Sequence, residues 1–118
     1  MRRTSALGRY GEEVATRHIE GVGLTVVERN WRCSEGEIDI VARDGSTLVV
    51  VEVKTRSSLA FGHPAESITP RKLRRLRHLA FRWLTEHQVH APSIRVDVIS
   101  VIQGVSGAPT VEHLLGVE

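Results

Sequence analysis

The chain has 118 residues, 41% apolar and 25% charged, with 16 Lys and Arg against 14 Asp and Glu for a net charge of +2. That length suits one packed core and the composition excludes intrinsic disorder. Cys33 is the single cysteine, which excludes an intramolecular disulfide and a thiol-pair zinc knuckle, and the six histidines form no His-Glu-x-x-His grouping. No run approaches the ~18 apolar residues of a membrane span. MRRTSALGRYGEE has no secretory apolar stretch, so the expected address is the cytosol, without a membrane partner.

In chain order, a first helix is predicted from about Ser5 to Glu20, with Leu7, Tyr10, Val14 and Ile19 roughly on one side and Gly21 as its stop. Gly8 and Gly11 weaken it, since each interior glycine costs about 1 kcal/mol against alanine. They point to a close approach of another backbone or to a late helix start. LTVVERNW, from Leu24, reads as a strand. Glu37–Ala42 and Thr47–Thr55 read as two more, joined at Arg43-Asp44-Gly45-Ser46, where Asp-Gly between apolar runs signals a hairpin. After Arg56, SSLAFGHPAESI reads as a mobile loop. Thr69 and Pro70 then supply an N-cap and a proline at the first helical position, and Leu73, Leu76, Ala80, Trp83, Leu84 and His87 carry a second helix to about His87. IRVDVISVI and PTVEHLL, separated by Gly104 and Gly107, read as a final hairpin. The order α-β-β-β-α-β-β predicts a single α/β or α+β domain over residues 1–118 with a mixed sheet.

The segment GEIDIVARDGSTLVVVEVKTR places Glu37, Asp39, Glu52 and Lys54 where core strands normally hold Val or Ile. Val49, Val50 and Val51 are consecutive, as in a strand buried on both faces, and ionisable groups in such strands need a partner or a metal. If the hairpin is centred between Asp44 and Gly45, Asp39 faces Val50 and Glu37 faces Glu52. Alternation then puts Asp39, Val50, Glu52 and Lys54 on one face, with Asp39 and Glu52 as diagonal neighbours roughly 7–8 Å apart at the backbone. Crowded carboxylates repel, and a divalent cation held by carboxylate oxygens and water offsets that repulsion. Mg2+ (or Mn2+) is the natural candidate, with Lys54 beside it to orient water or to offset charge on a phosphate. The bland alternative is a wet strand face with Glu52 and Lys54 in surface pairs.

An acidic residue on one strand followed by Glu-x-Lys on the next resembles the core of the restriction-endonuclease-like nuclease superfamily. A glutamate on a preceding helix often joins it, and Glu13 of GRYGEEVA matches that position. More extensively, GRYGEEVA, ERNWRCSEGEIDIVARDG, LVVVEVKTRSS, GHPAESITPRKLRRLRHLA and RVDVISV resemble, in order, the small bacterial YraN-type family. The resemblance implies an α/β restriction-endonuclease-like core, a central mixed sheet flanked by helices. It makes Asp39 and Glu52 metal ligands, Lys54 the catalytic lysine, Glu13 a further ligand and Glu37 a supporting residue behind them. Archaeal Holliday-junction resolvases are the nearest functional analogues, so branched or otherwise structured DNA is the implied substrate. Ile38 stands where that superfamily often has proline.

Arg71, Lys72, Arg74, Arg75, Arg77 and Arg82 form a block without an acidic residue among them, largely off the apolar stripe of the second helix. With Arg56, they are the expected nucleic-acid-binding surface, gripping backbone phosphates in a salt-dependent and sequence-neutral way. Glu66 and Lys72 near that helix start read more simply as a salt bridge or cap. Asp97 and Arg95 read as a structural ion pair. Tyr10, Trp31 and Trp83 are expected in the core rather than stacked on bases. No glycine-rich phosphate loop, nucleophile elbow or dinucleotide fingerprint occurs, which sets aside kinase, triad-hydrolase and Rossmann functions. The leading expectation is a metal-dependent endonuclease acting on DNA, a homodimer if it cuts two strands symmetrically. The alternatives are a non-catalytic nucleic-acid-binding or adaptor module on the same fold, and a protein-interaction module with an incidental basic helix.

Overall fold

The computed structural model describes residues 6–57 and 68–118. Helix α1 spans Ala6–Gly21, strands β1, β2 and β3 span Thr25–Cys33, Gly36–Asp44 and Thr47–Arg56, helix α2 spans Pro70–His87, and β4 and β5 span Ser93–Ile102 and Thr110–Leu114. The predicted element order is observed. The loop after Ser57 and Glu66 lie outside the described residues.

The five strands form one mixed sheet in the order β1-β2-β3-β4-β5. Neighbours are antiparallel except β3 and β4, which run parallel and are joined through α2, as a parallel pair requires a long crossover. The valines of β3 explain its central place: Leu48–Val51 are all buried, so the strand is covered on both faces. On one side α1 supplies Ala15 and Ile19 to a core with Ile40, Ala42, Val49, Val51, Ile99 and Val101. On the other, α2 lays Leu76, Leu79, Ala80, Trp83 and Leu84 over Val41, Leu48, Val50 and Val96.

Local chemistry sets the ends of α2. The Thr69 hydroxyl accepts from the Lys72 N–H at 3.1 Å, Pro70 follows at the start, and Gln88 in the left-handed conformation closes the helix. The hairpin between β2 and β3 departs from the predicted register. Asp44 pairs with Thr47, so Gly45 and Ser46 form the loop and facing residues sum to 91 instead of 89. Gly45 at φ +60, ahead of Ser46 with its φ negative, is the pattern of a type II′ turn, which has glycine at its first central position. The slip is two residues, so within the paired stretch from Ile40 to Asp44 each side chain keeps its predicted face. Val50 faces Val41, and the observed pairs end at Ile40 with Val51, one residue short of Asp39 and Glu52.

Gly11 accounts for the close packing of α1 on the sheet. A Cβ built there would fall 1.8 Å from Thr55 Oγ1 and 2.7 Å from Thr55 Cβ, whereas a Cβ at Gly21 would meet nothing within 4 Å. The close approach is therefore to a β3 side chain. Gly11→Ala is expected to lower stability by about 1–3 kcal/mol through this clash, while Gly21→Ala stays within about 0.5 kcal/mol of wild type. Urea unfolding checks both, and equal effects at the two positions would contradict this packing.

Candidate active site

β2 and β3 stay paired only from Asp44/Thr47 to Ile40/Val51, although both strands run on. The next ladder bond in this register would join the Val53 N–H to the Ile38 carbonyl. Instead the Val53 N–H donates to Asp39 Oδ2 at 2.8 Å. Asp39 is 6% exposed, and its carboxylate occupies the line along which the strands would have zipped. From there towards Gly36, β2 pairs with β1 alone. The sheet splits, and a cavity of about 320 Å³ opens, lined by Gly36, Glu37, Asp39 and Glu52 from the strands and by Lys72, Arg75, Leu76 and Leu79 from α2.

The groups in this split perturb one another. Burial, and next the charge of Asp39, push the Glu52 carboxyl up from 4.5 to about 7, against the pull of Lys54 and Lys72. Burial, then the neighbouring Lys54 ammonium, hold Lys72 below its usual range, with Glu52 opposing. Two carboxylates and two amines are therefore packed closely enough to set each other's charge. Asp39 and Glu52 are the pair that could hold a cation, with Glu37 on the same cavity wall. Among the described residues no group of three His, Cys, Asp or Glu side chains is placed to hold a metal. Two carboxylates with water or substrate oxygens completing the shell is the way Mg2+ is usually bound, so the donor set fits that ion.

Glu13 is placed elsewhere. It is a surface residue paired with Arg29 at 3.0 Å and with Arg17 at 3.3 Å, and the Arg29 bond holds its carboxyl below the usual range. Its neighbour Glu12 is the buried glutamate of α1, 3% exposed. With the Asn30 amide in the orientation that satisfies both groups, its nitrogen donates to the two Glu12 carboxylate oxygens at 2.8 and 3.2 Å. Asn30 sits between Arg29 and Trp31, which pair with Ile40 and Ile38, so it lies across from Asp39. Glu12 thus reaches the strand position beside the dyad from the opposite face. The signal for it was spacing: Glu12, Ala15, Thr16 and Ile19 form the buried stripe at i, i+3, i+4 and i+7, while Leu7 and Tyr10 of the predicted stripe are 40% and 39% exposed.

Residues 11–101 match the model of a protein family described as Uncharacterised protein family UPF0102. The chain belongs to that family. It is 63% identical to a UPF0102 protein of Beutenbergia cavernae over 117 residues, covering 99% of each chain. It is 55% identical to one from an Arthrobacter species, again over 99% of each, and 54% identical to one from Streptomyces coelicolor, covering 99% of this chain and 92% of the relative. The YraN-type resemblance is met by this match.

In this UPF0102 chain the basic residues divide into two groups. Arg71, Arg74 and Arg75 are exposed on α2 and Arg77 is half-buried. Arg82 is engaged within the chain by Glu35 and Ser34, and His78 joins the same Glu35 at 2.8 Å. Arg56, half-buried at the end of β3, shares the sheet face of Glu52 and Lys54. Asp97, as expected, is structural. Although burial raises it, hydrogen bonds from Arg95, the Gly116 N–H and His113 hold the carboxyl below its usual range. His113 in turn meets His18 at 3.2 Å, which ties β5 to α1. No helix among the described residues is long and apolar enough to cross a membrane.

Beside Lys54 in the β3–β4 register lies Ser100, 1% exposed, whose hydroxyl has no hydrogen-bond partner among the described residues. An unpaired buried hydroxyl costs about 1–3 kcal/mol, so Ser100→Ala is expected to match or exceed wild-type stability in chemical denaturation. A clear loss of stability would show that the hydroxyl is paired.

The Glu52 shift has a defined sign. Between pH 4.5 and about 7 the folded protein keeps a proton that the unfolded chain releases, so stability falls as pH rises through that window. Glu52→Gln cannot ionise. In metal-free buffer it is expected to equal wild type near pH 4.5 and to exceed it by roughly 1–3 kcal/mol above pH 7. Paired urea titrations test this, and a difference that does not change with pH would count against a buried dyad.

Proposed function

We propose that this chain is a metal-dependent nuclease with a restriction-endonuclease-like core, hydrolysing phosphodiester bonds in DNA. The observation that carries the reading is the split between β2 and β3, where Asp39 and Glu52 face a cavity whose other wall carries Lys72 and Arg75. Carboxylates on one side and cations on the other suit a phosphodiester, whose oxygens need positive partners and whose phosphorus needs an activated nucleophile.

Asp39 and Glu52 would hold the ion, which when bound supplies Lewis acidity and lowers the pKa of its water. The Val53 N–H fixes one oxygen of Asp39, so that carboxylate is oriented before anything binds. The buried position of Glu52 favours exchange of its proton for a cation at neutral pH. Lys54 stands on the same face and offsets charge as it builds on the phosphoryl oxygens. Lys72 and Arg75, from α2, hold the phosphate against the dyad. Water attacks phosphorus and gives up a proton to solvent, the bridging P–O bond breaks, and the departing oxygen takes a proton from solvent or from a lysine ammonium. Arg71, Arg74 and Arg77 extend the basic surface along the helix for neighbouring phosphates.

A second reading, a nucleic-acid-binding or adaptor module that keeps the nuclease fold, draws on the two-carboxylate donor set and on the surface position of Glu13. Incubation with linear duplex, single-stranded, flap and four-way-junction DNAs, with Mg2+ or Mn2+, separates the two. Metal-dependent cutting of at least one substrate is expected, with Glu52→Ala and Asp39→Ala reducing it by about 100-fold or more and leaving salt-sensitive binding in place. Binding without cutting, equal in wild type and Glu52→Ala, would sink the nuclease reading and favour the adaptor.

A further inference from the structure

Phe81 is 61% exposed, in the fourth turn of a helix whose other large apolar side chains are covered by the sheet. At 100° per residue it stands opposite Leu76, Leu79 and Trp83. It makes no ring contact among the described residues, and its recorded hydrogen bond is made by its carbonyl, which accepts from Thr85. Burial therefore does not account for this ring.

Its surroundings on the helix are cationic. Arg77 lies one turn before it and Arg74 two turns before, both on the same side of the helix. From Pro70 to Thr85 the helix contains no acidic residue. Glu35 neutralises only the other flank, through His78 and Arg82. Lys72, which lines the cavity, is about 13 Å away along the axis and on the opposite side of the helix, so this surface is separate from the cavity wall. Two arginines and a bare aromatic ring on one side of α2, turned away from the helix face that lines the cavity, have the two elements of a single-strand platform: cations for phosphates and a π-face for a base.

We propose that the Arg74–Arg77–Phe81 side of α2 binds a single-stranded segment of nucleic acid, with the Phe81 ring stacked on an unpaired base and the two arginines on flanking phosphates. The inference builds on the nucleic-acid substrate proposed above and specifies its form. In a duplex the base faces are already stacked within the helix, so the ring has no partner there and the arginines alone contribute. Strand choice then follows from one side chain.

The test is fluorescence anisotropy in EDTA, so that cleavage plays no part, with labelled oligo(dT), oligo(rU) and a blunt duplex at several salt concentrations. Phe81→Ala is expected to weaken single-strand binding by about 5- to 150-fold, the range for losing one stacked base. Duplex binding and the salt slope should stay unchanged, and Phe81→Trp should restore the affinity. Arg77→Ala should reduce the salt slope on single strands by about 0.7. Circular dichroism of Phe81→Ala is expected to match wild type, because the ring is not in the core. Single-strand affinity unaltered in Phe81→Ala, or an equal loss on duplex, overturns the proposal and leaves the ring as a surface for a protein partner. The dT and rU arms distinguish DNA from RNA. Failure of wild type to cut any substrate, with Phe81-dependent binding intact, would remove the nuclease reading alone. Metal-dependent cutting without Phe81-dependent binding would remove this one alone.

Discussion

The hydrogen bond from the Val53 N–H to Asp39 Oδ2 ends the β2–β3 ladder while both strands still have residues to pair. A ladder that continued would have placed the Asp39 and Glu52 side chains on a closed sheet under α2, with no room between strand and helix. Because a side-chain oxygen takes the N–H that a backbone carbonyl would have used, β2 leaves β3 and follows β1, and the cavity is the space that remains. The donor stays satisfied, as a buried N–H must, so the split costs little in hydrogen bonding. One aspartate thus closes a strand pairing and furnishes half of an acidic dyad.

The rest of the fold holds that split open. β3 is fixed by burial on both faces and by its parallel partner β4, which pairs with it along the whole of its length from Thr47 to Arg56. β3 therefore cannot drift towards β2 to close the gap. α2 spans the opening, with Leu76 and Leu79 at its apolar edge and Lys72 and Arg75 at its charged one. Gly11 lets α1 sit directly on Thr55, close behind the strand that carries Glu52 and Lys54. Charges can occupy core strands here because each is answered from a neighbouring element.

Element order, the capping of α2 and the pairing of Asp39 with Glu52 on one face were legible in the sequence, because they follow from short-range chemistry and from alternation. The sequence pattern puts the register two residues away because Asp44-Gly45 reads as the turn centre, whereas the chain turns at Gly45-Ser46. An even slip preserves parity, which is why the dyad survived it. Glu12 was missed for a different reason: a charged side chain at a stripe position reads as solvent-facing until the partner that buries it, Asn30 of β1, is known. The diversion of Arg82 to Glu35 was equally hidden, since it joins residues 47 apart in sequence. The split of the sheet was not legible at all, because sequence patterns say which face a side chain takes and not that it competes for a ladder bond.

Asp97 and Glu52 show what decides whether a buried carboxylate in this sheet is structural or chemical. Both lie on adjacent central strands, and burial pushes both upward. Asp97 receives two bonds from Arg95 and one each from His113 and the Gly116 N–H, which is enough to hold it ionised and to lock β5 and the chain end against β4. Glu52 has instead no such set of donors: burial first, and then a second carboxylate beside it, push its carboxyl up to about 7 against the amines nearby. A saturated carboxylate has nothing left to offer a ligand, while a buried carboxylate beside a second acid gains most from an added cation. The same forces, acting with different partners on the two faces of one sheet, give one carboxylate that fastens the fold and another that is left perturbed beside a cavity.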